Sequence, residues 1–518
     1  MTTDTSSMAA TVSRFLDNAC PDHHVRGGAD HVRAQHTAMR LLDRYPEIAR
    51  ADFYTAVVCG DVDAVNRALA ADPGWATRAN GDPDPMRAGG GSEFDLVKRD
   101  WGPKGWAPLS YLCFTRLPLR QVSDNAVAIA RALLDHGADP NAYFMAGGSK
   151  YTPLVGVIGE GEEARPAHPR RDALVKVLLE RGAEPCDQQV VYNIHFKAKV
   201  LWFLDTIYEH SRRIGREKDW ADPEWMMLEM GGYGSGARWH LDIAVEHDDL
   251  ELAEWCLTHG ANPNAAPGPG RRNRQRSLYE EAIVRGHVEI AELLVRHGAI
   301  RSTLALDPVQ RLVAACRRSD LATIRDEIAK HPEFLGDAKP LFAATERNRR
   351  EAAALLLDLG TSPNVESRDG ERALHIAAYH GSVDVAELLI ERGAEIDPIG
   401  RQYDNTPLGG AMHCHSTRII DLLGRFTRSV WEVGYAGKVD RLRELLAEKP
   451  ERARATGDGE TLLMWLPPGD EATAMEVARL LLDHGADPTV RDPQGMTAAD
   501  RAERNAMFEV ASFLRAQE

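Results

Sequence analysis

Residues 187–240 carry the densest set of side chains that could do chemistry. Tyr192 and His195 offer acid–base groups, Arg238 and His240 offer positive charge, and Trp225, Tyr233 and Trp239 offer aromatic walls. Five of the ten tryptophans (Trp202, Trp220, Trp225, Trp239 and Trp255) fall in this neighbourhood, and a buried indole wants a partner for its N–H. The glycine-rich run Gly231-Gly232-Tyr233-Gly234-Ser235-Gly236 could turn successive backbone N–H groups onto an anion. A pocket built this way would take a small anionic ligand. The run is neither a P-loop nor a dinucleotide fingerprint, because Ala237 stands where the last glycine is needed and no βαβ unit surrounds it. The competing and simpler reading is that the rings pack a long insert in place.

A second group is His413-Cys414-His415, whose side chains are zinc-type ligands. Two histidines separated by one residue on a helix point their rings apart, so no metal is expected. The pairs Asp248-Asp249 and Glu280-Glu281 read as solvated helix faces, and Cys113 as an inert buried thiol. There is no HExxH, no G-x-S-x-G elbow and no S-x-x-K. No catalytic residue and no cofactor emerges.

The elements that must position these residues repeat along the chain. An apolar pair, two polar residues and a Gly-Ala tail recur as LLDHGADPN (133–141), LLERGAEP (178–185), CLTHGANPN (256–264) and LLVRHGA (293–299). The phrase returns as LLLDLGTSPN (355–364), LLIERGAEID (388–397) and LLLDHGADP (480–488). Each glycine sits where a helix must stop and can take the left-handed cap without a Cβ penalty. Upstream, Thr152-Pro153-Leu154, Thr406-Pro407-Leu408 and Ala373-Leu374-His375-Ile376-Ala377-Ala378 open a shorter helix, proline suiting the first turn. Tyr45-Pro46, Asp72-Pro73, His331-Pro332 and Lys449-Pro450 stop the longer helix by proline instead.

The segment 369–397, DGERALHIAAYHGSVDVAELLIERGAEID, resembles the ankyrin repeat, with its T-P-L-H-x-A opening and 33-residue period. The spacing from Gly360 to Gly393 is 33, whereas Gly137 to Gly182 is 45. The resemblance, to ankyrin-repeat proteins of bacterial type with many divergent repeats, implies an all-α solenoid of stacked helix-turn-helix units with irregular inserts. Residues 1–50 are expected to form an N-terminal capping segment and 51–186 ankyrin-like repeats interrupted by a Gly/Pro insert at 79–105. Residues 187–240 would be a divergent Trp/Gly-rich insert, 241–496 further repeats and 497–518 a closing C-terminal repeat. His375 falls on the motif histidine and reads as structural.

In such an array the loop ends of the short helices line a concave surface. There the sequence places Arg285, Arg317, Arg318, Arg347, Tyr379, His380 and His413. They would form a basic stripe suited to an acidic peptide or another anion, unless Glu346, Asp320 or Asp326 neutralises it. The chain as a whole is acidic, net −16 over 518 residues, which argues against nucleic acid or an anionic membrane as the main partner. No run is long and apolar enough for a membrane span. Seven scattered cysteines without a C-x-x-C pair fit a reducing cytoplasm. Two functions stay open: a cytoplasmic scaffold holding a protein or peptide on its concave face, and an enzyme or small-molecule binder with a pocket around Tyr192–His240. Oligomeric state has no signature in the sequence.

Overall fold

The computed structural model describes residues 5–21, 28–81, 105–146, 149–159, 161, 165–197, 200–270, 275–401 and 404–518. Most of the 79–105 insert and residues 271–274 of the arginine-rich loop therefore lie outside the described residues. The chain forms two compact units, one made of Met1–Lys199 with Leu442–Glu518 and the other of Val200–Arg441. Both are built from helix pairs, and the described strands amount to two short hairpins.

Local chemistry starts and stops each pair. Thr406 accepts from the Gly409 N–H at 3.0 Å and Pro407 fills the first turn of helix Pro407–His413. Ser277 with Glu280, Asp307 with Gln310, and Thr497 with Asp500 make reciprocal caps at the same position of their units. The recurring Gly-Ala tails do take the left-handed conformation, with φ of 114° at Gly360 and 84° at Gly393. The four proline stops each begin a 3-10 turn in place of that tail, as at Pro332–Gly336 and Pro450–Arg454.

Small residues let the pairs stack. In the second unit Leu374, Ala377 and Ala378 of helix Ala373–His380 are buried with Val385, Ala386 and Leu389 of helix Val383–Glu391 and with Leu408 and Ala411 of the next unit. His375 is fully buried; its Nδ1 accepts the Arg372 N–H at 3.1 Å and its Nε2 donates to the Pro398 carbonyl at 3.2 Å. Neighbouring tails are clamped by one asparagine each. Asn141 donates to the Gly182 carbonyl and accepts from Glu184 N–H, both at 2.8 Å. Asn264 does the same to Gly298 and Ile300 at 2.9 Å, and Asn364 to Gly393 and Glu395 at 3.2 and 2.7 Å.

The segments expected to end the array separately instead meet within the first unit. Helices Thr5–Ala19 and Gly28–Arg44 lie against the last repeat, helices Ala498–Arg504 and Phe508–Arg515. Arg14 donates to the carbonyls of Glu503 and, at 2.9 Å, Arg504. Arg40 reaches Asn505 O at 2.9 Å and Gly469 O at 2.8 Å, and Thr37 also bonds Asn505 O. Tyr45 packs edge-on to Phe508 with centroids 6.2 Å apart.

Residues 187–240 also differ from a single irregular insert. Helix Gln188–Lys197 packs on Pro153–Ile158 in the first unit, and Val200–Arg213 packs on Leu250–Thr258 in the second. Irregular backbone is confined to the stretch between Arg213 and Gly236, where three short 3-10 turns follow one another.

The asparagine clamp makes a direct demand on stability. Asn364→Ala removes the exposed hydrogen bonds to the Gly393 carbonyl and the Glu395 N–H, which water can only partly replace, and is expected to cost about 0.5–1.5 kcal/mol. Urea unfolding followed by circular dichroism reads this as a lowered midpoint; a midpoint equal to wild type would show that the clamp contributes nothing.

Candidate functional site

The chemistry-bearing residues of 187–240 are not gathered around an open site. Tyr192 and His195 are half-buried on helix Gln188–Lys197 of the first unit, where His195 Nδ1 donates to the Tyr192 carbonyl. Arg238, Trp239 and His240 begin helix Gly236–His247 of the second unit, and all three are buried. Arg238 has no exposed side-chain surface: its guanidinium bonds Asp242 Oδ2, Ala265 O and Arg276 O, each at 3.0 Å. It pins the loop after helix Leu250–Thr258 to the helix it starts. Arg238 occupies the third helical position behind the cap Ser235, the position His375 holds in its own unit. That capping register is the signal by which its structural role could have been read from the sequence.

The tryptophans pack one another. Trp225 is fully buried with φ 50°, and its ring lies 5.3 Å from Trp220, which in turn meets Tyr208 edge-on at 5.2 Å. Trp255 stacks on His259 at 3.9 Å, and Tyr233 meets Trp239 at 5.1 Å. His240 Nδ1 donates to the Gly236 carbonyl at 2.8 Å. The glycine run has a packing reason as well. Gly270 N–H donates to Gly232 O at 2.7 Å, and a Cβ on Gly268 would lie 2.3 Å from Gly234 N. Two glycine-rich loops approach backbone to backbone. The expectation of a ligand pocket from Arg238, Trp225, Trp239 and His240 is thus corrected: their side chains are consumed by the interior.

The ends of the first helices of the second unit do come together. Helices Gly236–His247, Leu278–Arg285, Pro308–Arg318, Ala338–Glu346 and Ala373–His380 each finish near residues of the others. Arg347 donates to the carbonyls of Glu246 at 2.8 Å and His247 at 3.0 Å, and its Nη2 lies 3.4 Å from His287 Nε2. Among the described residues no carboxylate lies within 4 Å of this guanidinium. Arg318 donates to Gly286 O at 3.4 Å and Arg349 to Arg317 O at 2.9 Å. Unpaired carbonyls at a helix C-terminus carry partial negative charge, so a guanidinium is a fitting cap.

The basic stripe is therefore largely neutralised. Arg317 pairs with Glu346 at 3.0 Å, Arg285 lies 3.6 Å from Glu246 and 3.7 Å from Glu281, and Arg318 lies 3.7 Å from Asp320. Tyr379 donates to Asn405 Oδ1 at 3.0 Å and to Glu371 Oε2 at 3.3 Å, leaving no room for a side chain at Gly410. What stays accessible at these ends is Arg318, His247, His380 and His413. Leu250 and Val288, the first residues of two neighbouring second helices, add exposed aliphatic surface. Burial pushes His287 below the ordinary histidine value, partial desolvation by the surrounding helix ends lowers the accessible His247 and His380, and Arg347 pushes each the same way. Among the described residues no group of His, Cys, Asp and Glu is placed to hold a metal ion.

A family model described as ankyrin repeats matches residues 309–400 and 341–424 of this chain. This stretch of the chain consists of ankyrin repeats. The matched stretch lies in the second unit and takes in three of the five converging helices, Pro308–Arg318, Ala338–Glu346 and Ala373–His380. Serine/threonine-protein kinase 12 of Arabidopsis thaliana is 35% identical over 91 residues, 18% of this chain and 19% of that protein. Potassium channel GORK of the same plant is 35% identical over 101 residues, 20% and 12% of the two chains. Transient receptor potential cation channel subfamily A member 1 of Homo sapiens is 22% identical over 228 residues, 41% and 19%. The chain thus spans less than a fifth of the length of these curated relatives. Of solved structures, the ankyrin repeat domain of Bcl-3 aligns with 39% of this chain and 97% of its own at 17% identity and a TM-score of 0.30. No described helix of the chain is long and apolar enough to cross a membrane.

One feature of the helix ends escaped the sequence reading. The residue after several first helices takes the left-handed conformation without being glycine: Asp248, Ser319 and His415 have φ near 56°, and Asn348 has 51°. Asn348 is used, donating to Asp384 Oδ2 at 2.7 Å and accepting from Val385 N–H at 3.1 Å. Ser319 is different, because its hydroxyl is buried without a hydrogen-bond partner among the described residues. Ser319→Gly is expected to raise stability by about 1 kcal/mol by relieving the Cβ penalty. Gly286→Ala, whose Cβ would sit 2.9 Å from Ala314 O, is expected to lower it by more than that. Thermal unfolding of both variants decides the matter, and a destabilised Ser319→Gly would contradict this account of the turn.

Proposed function

We propose that residues 200–441 bind a protein or peptide partner, using the face on which the first helices end. The observation that carries this reading is the division of labour at that face. Arg347, Arg317, Arg285 and Tyr379 hold the units together. Arg318, His380, His413, Leu250 and Val288 present accessible polar and aliphatic groups on successive units. A rigid support with a mixed polar and apolar rim suits a partner that docks without reorganising it. Burial pushes the thiols of Cys113 and Cys256 upward, away from reactivity. That burial sets these two thiols aside as candidate nucleophiles, which supports the binding reading at their positions.

Photo-crosslinking tests the location. A photoreactive phenylalanine analogue placed at His380 or His413 is expected to capture a discrete protein in a lysate of the source cells. The same residue at Glu387, exposed on a second helix, is expected to capture none. Equal capture at Glu387, or none at His380 and His413, would contradict this use of the face.

A further inference from the structure

The hydrogen bonds around His287 determine its protonation state without reference to any titration. The imidazole is buried, with Nδ1 2.6 Å from the Val245 carbonyl and Nε2 3.4 Å from Arg347 Nη2. A carbonyl can only accept and a guanidinium can only donate, so Nδ1 carries the hydrogen and Nε2 is an acceptor. One neutral ring thereby joins three units: the end of helix Gly236–His247, the loop after Leu278–Arg285 and the residue after Ala338–Glu346.

We propose that His287 is an acid-operated latch: a proton on Nε2 turns the acceptor facing Arg347 into a donor and expels Arg347 from the carbonyls of Glu246 and His247. Charge repulsion between imidazolium and guanidinium drives the same movement. This goes beyond partner binding and does not depend on it.

The charges around the ring oppose one another. From helix Gly236–His247 and its turn, Asp248 Oδ1 lies 3.8 Å from Nδ1 and favours the charged ring, with Glu246, His247 and Asp249 beside it. From its own unit come Arg285 and Glu281, and from Pro308–Arg318 come Arg317 and Arg318. Glu346 and Arg347 approach from Ala338–Glu346, and His380 from Ala373–His380. Burial is the largest influence and pushes His287 down to about 4, opposed by Asp248 and aided by Arg347. A histidine so lowered stabilises the fold fully above its unfolded value, about 6.5. That contribution is lost as the pH falls from there toward 4, because the unfolded chain then binds more protons. His247 and His380, lowered by partial desolvation, add to the effect at the same face.

Two measurements on the full chain test the latch. Histidine-ring nitrogen NMR of wild type, with the His287 signal assigned by its loss in His287→Asn, is expected to show Nε2 bare of hydrogen at neutral pH. Amide hydrogen exchange, corrected for the intrinsic rate, is expected to show protection at Asp248 and Asp249 falling about tenfold or more between pH 6.5 and 4, and falling much less in His287→Asn. A ring protonated at Nε2 at neutral pH would overturn the proposal even if His287→Asn does not fold. So would protection that survives to pH 4 in wild type, or that falls equally in the variant.

Discussion

A helix that ends inside a stack of helices leaves carbonyl groups without partners, and in this protein arginines from other units supply them. Arg347 caps helix Gly236–His247 from 100 residues away. Arg318 and Arg349 cap the next two ends, at Gly286 and Arg317. The first unit uses the same device: Arg116 reaches Gly156 O at 2.5 Å in the last turn of Pro153–Ile158. Arg14 and Arg40 do so for Ala498–Arg504. A planar guanidinium can bridge two carbonyls at once and stays charged when half-buried, which lysine does less well. Packing of the first helices, the placement of the accessible rim and the orientation of His287 all rest on these caps.

The repeating part of this construction was legible in the sequence because its causes are local. Gly360 and Gly393 stop helices through their own backbone freedom, and Thr406-Pro407 starts one through its own hydroxyl and ring. The Asn364 clamp was not legible in the same way, because its partners Gly393 and Glu395 stand 29 and 31 residues further along the chain. The partners of the arginines were not legible, since nothing within a few residues of Arg347 points to Glu246. The same limit explains the reading of 187–240. Ser235 and Arg238 are a cap and a third helical residue, but without proline or leucine between them the motif is hidden. The tryptophans then drew attention as a pocket when they are the filling of one. The left-handed Ser319 also lacked a signal, because glycine is the residue that normally announces such a turn.

Charge takes on a different meaning in this light. The chain is acidic overall, and the arginines expected to make its inner stripe basic are paired with Glu346, Glu246, Glu281 and Asp320 or turned onto carbonyls. The groups left accessible at this face are therefore histidine and aliphatic as much as arginine. Histidine brings sensitivity to acid, and His247, His287 and His380 each feel the charge of Arg347. Strained turns at Asp248, Ser319, Asn348 and His415 sit at these same ends, where a locally costly backbone is held by the packing around it.

The arginine caps are tested most directly by the unfolding free energy of Arg347→Met, which keeps the aliphatic stem and removes the donors. One partly buried and one exposed carbonyl lose charge-assisted hydrogen bonds, worth about 1.5–3 kcal/mol where buried and less where water replaces the donor. The account predicts a loss of about 2–5 kcal/mol, against less than about 0.5 kcal/mol for the exposed Arg213→Met. If Arg347→Met unfolds within that smaller margin of wild type, the caps do not hold the helix ends together.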